Sequence, residues 1–107
     1  MLKVAIIGQE EIYQSDKFDV PFYDDGENAY ELLKSTPTDF ALIDIFMKKA
    51  DGLKLIKDFS LVKFIVATQL NSDVYKHYAK KLGCVEYLQK PVSLEDLEAV
   101  LEKHIKD

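Results

Sequence analysis

FALIDIF, residues 40–46, is an apolar run broken by a single ionisable side chain, Asp44. A short, nearly continuous apolar run of this kind reads as a strand buried on both faces, as in a parallel sheet. A carboxylate is costly inside such a strand, so Asp44 belongs at its exit. In open parallel sheets, ligands and chemistry collect at the carboxyl ends of the strands. Asp44 is therefore a candidate site residue, and the bland alternative is a strand-end aspartate capping the next turn.

Outward from this run, apolar and β-branched stretches recur at KVAIIG (3–8), DVPFY (19–23), KFIVAT (63–68) and VEYL (85–88), which makes five strands in all. Helical patterns lie between them: ENAYELLK from Glu27, DGLKLIKDF from Asp51, SDVYKHYAKKLG ending at Gly83 and SLEDLEAVLEKHI from Ser93. In the last of these, Ser93 is placed as N-cap with Asp96 three residues on, and Leu94, Leu97, Leu101 and Ile105 form one apolar stripe. Gly83 suits a left-handed stop to the helix before it. Strands alternating with helices specify a parallel sheet covered on both faces. Pro21 cannot donate to a ladder on both sides, which sends the second strand to an edge. The expected fold is α/β, a flavodoxin-like three-layer sandwich whose five parallel strands run in the order 2-1-3-4-5.

At 107 residues the chain is expected to form one domain, residues 1–107. No segment approaches the unbroken apolar length of a membrane span, and the opening MLKVAIIG reads as a first strand and not as an export signal. A cytoplasmic location is expected. The single cysteine, Cys84, excludes an internal disulfide and suits a small buried thiol. A net charge of −5 argues against unspecific attachment to nucleic acid and turns attention to protein partners.

One connection is unusually short. Residues 9–18 alone join the first two strands, near the minimum for a parallel crossover, so the first helix is expected to be short or absent. The sheet face it would have covered must then be filled by Tyr13 and Phe18 or by another molecule, and a homodimer through that face is one expected assembly.

Polar groups recur at the ends of other strands: Thr68 after the fourth, and Lys90 followed by Pro91 after the fifth. A carboxylate that accepts a phosphoryl group needs a cation to offset the new charge and a hydroxyl to bond a phosphoryl oxygen. Asp44, Thr68 and Lys90-Pro91 at this spacing closely resemble the receiver domain of bacterial two-component response regulators. The resemblance extends over nearly the whole chain and is best in residues 39–56 and 78–97, with residues 24–34 similar to the segment leading into the family's second helix. It implies Asp44 as phosphoacceptor, Lys90 as phosphate-contacting lysine, Thr68 as switch hydroxyl and Tyr87 as the aromatic that moves with it. It implies a cis peptide bond before Pro91, and a partner face built from the helix of residues 72–83, the strand 85–88 and the last helix, which are the family's fourth helix, fifth strand and fifth helix. Magnesium is the implied cofactor, held by Asp44, the backbone carbonyl of Phe46 and acids after the first strand.

The chain departs from the family where the metal would sit. The two acids expected after the first strand align with Gly8 and Gln9, leaving Glu10 or Glu11 to reach in. Gln69 replaces the small residue usual beside the switch hydroxyl. Lys48 and Lys49 stand where the family's loop has Pro and Gly, and two cations there would partly stand in for metal or be solvated. Two readings follow. In one the chain is a stand-alone receiver, not an enzyme, that takes a phosphoryl group from a histidine kinase onto Asp44 and signals by protein contact. In the other it is a pseudo-receiver, a binding module that works without phosphorylation and pairs Asp44 with Lys90. An unrelated enzyme on the same fold is disfavoured by the lack of a glycine-rich phosphate loop and of a Ser/His/Asp or Cys/His set. His77 and His104 are read as exposed or half-buried helix residues. Tyr75, Tyr78 and Tyr87 fall near the implied partner face, where they serve either binding or packing. If the 107 residues are the whole protein, output is expected through contact with a histidine kinase or other signalling protein.

Overall fold

The computed structural model describes residues 1–106, so Asp107, the last residue of the expected domain, lies outside the described residues. Its sheet is built around β1 (Leu2–Ile7) and β4 (Phe40–Ile43), the latter buried along its whole length. β5 (Lys63–Thr68) and β6 (Glu86–Gln89) extend the sheet beyond β4, and every pairing is parallel. The far edge is split: β2 (Phe18–Asp19) pairs with the start of β1 and β3 (Tyr23–Asp24) with its end. Pro21 lies between these pieces, where its missing N–H breaks the ladder. Contact with β1 continues across the gap, with the Ile6 N–H donating to Phe22 O at 3.1 Å and the Gly8 N–H to Asp24 O at 2.8 Å. The order β2-β1-β4-β5-β6 is the expected one, with the second strand in two parts and six strands in place of five.

Alternation along the strands divides the core. Ala5, Ile7, Ala41, Ile43, Phe64 and Val66 face α1 (Ala29–Ser35), α2 (Gly52–Asp58) and α3 (Asp73–Leu82). Val4, Ile6, Phe40, Leu42, Ile65 and Ala67 face α4 (Leu94–His104), which contributes Leu97 and Leu101. Ser93 caps α4 as expected, its side chain accepting from the Asp96 N–H at 3.0 Å, and Gly83 closes α3 at φ +122°. The apolar stripe stops short of its last member, because Ile105 lies past the helix end and is 50 % exposed. That end is fastened by polar groups instead: Lys63 Nζ donates to His104 O at 2.9 Å, and Glu86 Oε1 meets both Lys103 Nζ and His104 Nε2 at 2.9 Å. His77 is exposed and His104 half-buried, as expected.

No helix forms between β1 and β2. The chain crosses as a loop that folds Tyr13 and Phe18 under the sheet, both buried against Val4, Val92, Leu97 and Leu101. Tyr13 is held at three points. Its hydroxyl donates to Val92 O at 2.7 Å, its N–H donates to the Tyr23 hydroxyl at 3.1 Å, and that hydroxyl donates to Tyr13 O at 2.9 Å. The face expected to need cover is thus filled by the chain's own aromatic residues, which removes the reason given for a homodimer through it.

Replacing Tyr13 by Phe leaves the buried Val92 carbonyl without its donor and should lower stability by about 1–2 kcal/mol, whereas Tyr13→Ala should cost about 3–5 kcal/mol, read as shifts in urea midpoint. Burial pushes the Tyr13 phenol up to about 12, with the Glu11 charge adding, and burial pushes the Cys84 thiol up to about 11. Both are acids kept protonated by the fold, so their contribution is fully present below their ordinary values and is lost as pH climbs through the native ones. The melting temperature should be flat from neutral pH to about pH 9 and fall above it. In Tyr13→Phe the fall should be shallower.

Candidate functional site

β4 ends at Ile43, yet the next residue is still tied to the sheet, the Asp44 N–H donating to Ile7 O at 3.2 Å. The chain then turns sharply. Asp44 Oδ1 accepts from the Phe46 N–H at 2.8 Å, and Phe46 bridges back to Asp51, which caps α2 by accepting from the N–H groups of Leu53 and Lys54 at 3.1 and 3.3 Å. Position 52 has to be glycine, since a Cβ there would lie 2.6 Å from Ile45 Cα and 2.8 Å from Asp44 O. The Asp51-Gly52 pair is therefore what lets helix α2 start directly against the turn that carries Asp44.

Lys90 completes the pair. Its Nζ lies 2.8 Å from Asp44 Oδ2 and donates to Gly8 O at 3.1 Å, with only 12 % and 11 % of the two side chains exposed. Each carboxylate oxygen of Asp44 thus has one donor from the chain itself. Desolvation of such a pair offsets much of its attraction, so its net worth is small while the loss of either member is expensive. The Lys90–Pro91 peptide is cis, as the resemblance implied.

Thr68 stands at the end of β5, buried, and is joined to the same corner through the backbone, with the Lys90 N–H donating to Thr68 O at 2.8 Å. Its hydroxyl does not bond Asp44; Oγ1 accepts a long 3.5 Å contact from the Leu70 N–H. The Tyr87 hydroxyl donates to Leu70 O at 3.2 Å. Leu70 therefore links the threonine to the tyrosine, a role that nothing in its sequence position announces. Burial raises the Tyr87 phenol, and the Asp44 charge raises it further.

The remaining site residues divide sharply. Phe46 turns its ring outward, 44 % exposed and edge-on to Tyr75 at 4.9 Å. Glu10 is exposed on the rim of the crevice over Asp44, a hollow of about 360 Å³. Gln9 does not point to Asp44 but donates from Nε2 to Ala67 O at 3.1 Å. Gln69 is exposed and uses its carbonyl to accept from Gln89 Nε2 at 3.4 Å. Lys49 pairs with Asp25 at 2.8 Å and Glu27 at 3.6 Å, so it is spoken for, while Lys48 is exposed.

Magnesium is a hard cation that takes oxygen ligands in near-octahedral array. Among the described residues no three His, Cys, Asp or Glu side chains are grouped to hold a metal ion. Asp44, Phe46, Glu10 and Asp25 line one crevice, but Asp25 is paired with Lys49 and Glu10 is exposed, so the acids are not gathered around Asp44. The residues present do not fit the ion.

Comparison with known proteins agrees with this architecture. The family described as the response regulator receiver domain matches residues 3–102. The transcriptional regulatory protein RprY of Bacteroides fragilis is 27 % identical over 103 residues, which is 87 % of this chain and 43 % of that protein. The chain spans less than half the length of the curated relatives it matches. Among solved structures, the signal receiver domain of the response regulator NarL from Mycobacterium tuberculosis superposes with a TM-score of 0.82 at 18 % identity, covering 99 % of this chain and 98 % of that one. A DNA-binding response regulator of the LuxR family from Staphylococcus aureus gives 0.83 at 20 % identity, covering 96 % and 98 %.

A double-mutant cycle measures the ion pair. Lys90→Met should destabilise by about 3 kcal/mol because it leaves the Asp44 carboxylate buried and half-satisfied. Adding Asp44→Asn should recover most of that loss in the same urea titration.

Proposed function

Because this chain belongs to the response regulator receiver domain family, we propose that it is a pseudo-receiver, a signalling module that acts by protein contact and not by magnesium-dependent phosphorylation of Asp44. The observation that carries this reading is the state of the acid corner. Gly8 and Gln9 stand where the family's metal-holding acids are expected, and among the described residues no three acidic, histidine or cysteine side chains are grouped to hold a metal in their place. Without a metal, the charge brought by a phosphoryl group would be offset only by lysines of the crevice: Lys90, already shared with Gly8 O, Lys49, already paired with Asp25, and the exposed Lys48.

Output in this reading passes through the face of α3, β6 and α4. α3 buries only Ala79 fully and leaves Val74, Tyr75 and Tyr78 in solvent beside Leu70. Exposed aromatic side chains on a short helix suit recognition of another protein, a histidine kinase or another signalling protein being the partner class that the family implies. The chain has no turnover of its own in this scheme. Among the described residues no helix is long and apolar enough to cross a membrane, and the net charge of −5 disfavours unspecific nucleic-acid binding; both are in keeping with a module that meets its partner in the cytoplasm.

A second reading retains Asp44 as phosphoacceptor, attacking an incoming phosphoryl group in line. It is favoured by the convergence of Asp44, Lys90 and Thr68 at neighbouring strand ends. Amide NMR of the unmodified chain with magnesium, then with magnesium and beryllium fluoride as an aspartyl-phosphate mimic, separates the two. The pseudo-receiver should show no shift at Asp44, Thr68 or Lys90 at millimolar ligand. Shifts there that spread to Tyr87 would establish the phosphoacceptor instead.

A further inference from the structure

Two helices on one side of the sheet carry charge opposite to that of the chain as a whole. α2 and α3 hold five lysines against two aspartates, a net charge of +3, in a chain whose total is −5. α4, on the other side, holds Glu95, Asp96, Glu98 and Glu102 against Lys103. Lys54 and Lys57 on α2 and Lys76, Lys80 and Lys81 on α3 are exposed, and among the described residues none of these five has a carboxylate within ion-pair distance.

Between the two helices lies a groove of about 520 Å³, with Lys54 and Lys57 contributed by α2 and Tyr78 and Leu82 by α3. Two aspartates line it as well. Asp51 has its carboxylate on the N–H groups that begin α2, which leaves Asp58 as the acid beside the lysines. α3 supplies the apolar part. It buries only Ala79 fully, and Val74, Tyr78 and Leu82 follow one another at four-residue spacing, so they form one stripe along its axis. Val74 is 76 % exposed and Tyr78 51 %. Tyr75 is held edge-on by Phe46, whereas Tyr78 has no ring or hydrogen-bond partner among the described residues. Lys81, three residues after Tyr78, stands on the same flank.

An aromatic ring and a leucine edged by unpaired ammonium groups suit an incoming segment that carries carboxylates beside an apolar side chain. The chain's own acidic helix is a poorer occupant, because Glu98 and Glu102 of α4 are already held by Ser15 and Lys17. We propose that the groove between α2 and α3 docks an acidic segment of another protein, whose carboxylates meet Lys54, Lys57 and Lys81 and whose apolar side chain lies over Tyr78 and Leu82. The groove uses the flank of α3 turned to α2, so it is separate from the face of α3, β6 and α4 and does not depend on the chemistry of Asp44.

The probe is a blocked peptide, EEDFEELDE, added to the unmodified chain and followed by amide NMR, with KKRFKKLRK as its charge-reversed counterpart. The acidic peptide should shift amides of residues 52–58 and 78–82, and its affinity should fall at least about fivefold when salt is raised to about 0.3 M. Lys54→Glu/Lys57→Glu should weaken it at least about tenfold. Lys34→Glu/Lys106→Glu, which changes the net charge equally outside the groove, should weaken it less than about twofold. Tyr78→Ala should weaken it at least about threefold and keep the salt dependence. No shift at millimolar acidic peptide, equal loss in both lysine pairs, or shifts as strong with the basic peptide would overturn the proposal. So would groove shifts that grow with protein concentration alone, which assign the groove to a second copy of this chain. The magnesium and beryllium fluoride titration reads Asp44, Thr68 and Lys90, so its outcome is independent of this one.

Discussion

Burial of β4 on both faces is the constraint from which the site follows. Phe40, Ala41, Leu42 and Ile43 have almost no contact with solvent, with α2 and its neighbours on one side and α4 on the other. A strand so enclosed has no place for a charge along its length, so the first carboxylate must wait until the sheet ends. There Asp44 meets what neighbouring strands leave at their own ends: the Gly8 carbonyl from β1, Thr68 from β5 and Lys90 after β6. Parallel pairing brings these ends to one side of the sheet. The crevice is a product of topology before it is one of chemistry.

Much of this was legible because it is encoded locally. The β-branched runs, the Ser93 cap, the proline that breaks the edge strand and the Asp51-Gly52 start of α2 each act within a few residues, and each is found where its local physics puts it. What could not be read are the contacts between residues far apart in the chain. Gln9 reaching Ala67, Leu70 joining Thr68 to Tyr87, and Tyr13 meeting Val92 depend on how loops fall across the finished sheet. Ile105 continues a helical stripe in sequence, but the helix has ended before it.

The chain keeps the family fold and departs from the family's residues at one corner. The sheet is that of the receiver domain family to which the chain belongs, and the cis Lys90–Pro91 peptide and the Asp44–Lys90 pair stand at the carboxyl ends of its strands. At the end of β1 the same architecture carries Gly8 and Gln9. A carboxylate surrounded by its own lysine and its own backbone N–H is a structural pin. It holds the ends of β1, β4 and β6 in register, which in turn sets the surface of α3, β6 and α4.

The Tyr13–Val92 hydrogen bond spans 79 residues of chain. It is the fastening of a loop that replaces a whole helix, so during synthesis the first crossover leaves the ribosome long before its anchor exists. Until Val92, Leu97 and Leu101 follow, Tyr13, Phe18 and one face of β1 have no cover. An ordinary crossover helix could shield that face as soon as it formed; here the N-terminal part of the chain depends on the C-terminal part for its protection. The economy of a short loop is bought with an all-or-none assembly, in which a nascent or truncated chain ending before α4 exposes an apolar sheet face to whatever is nearby.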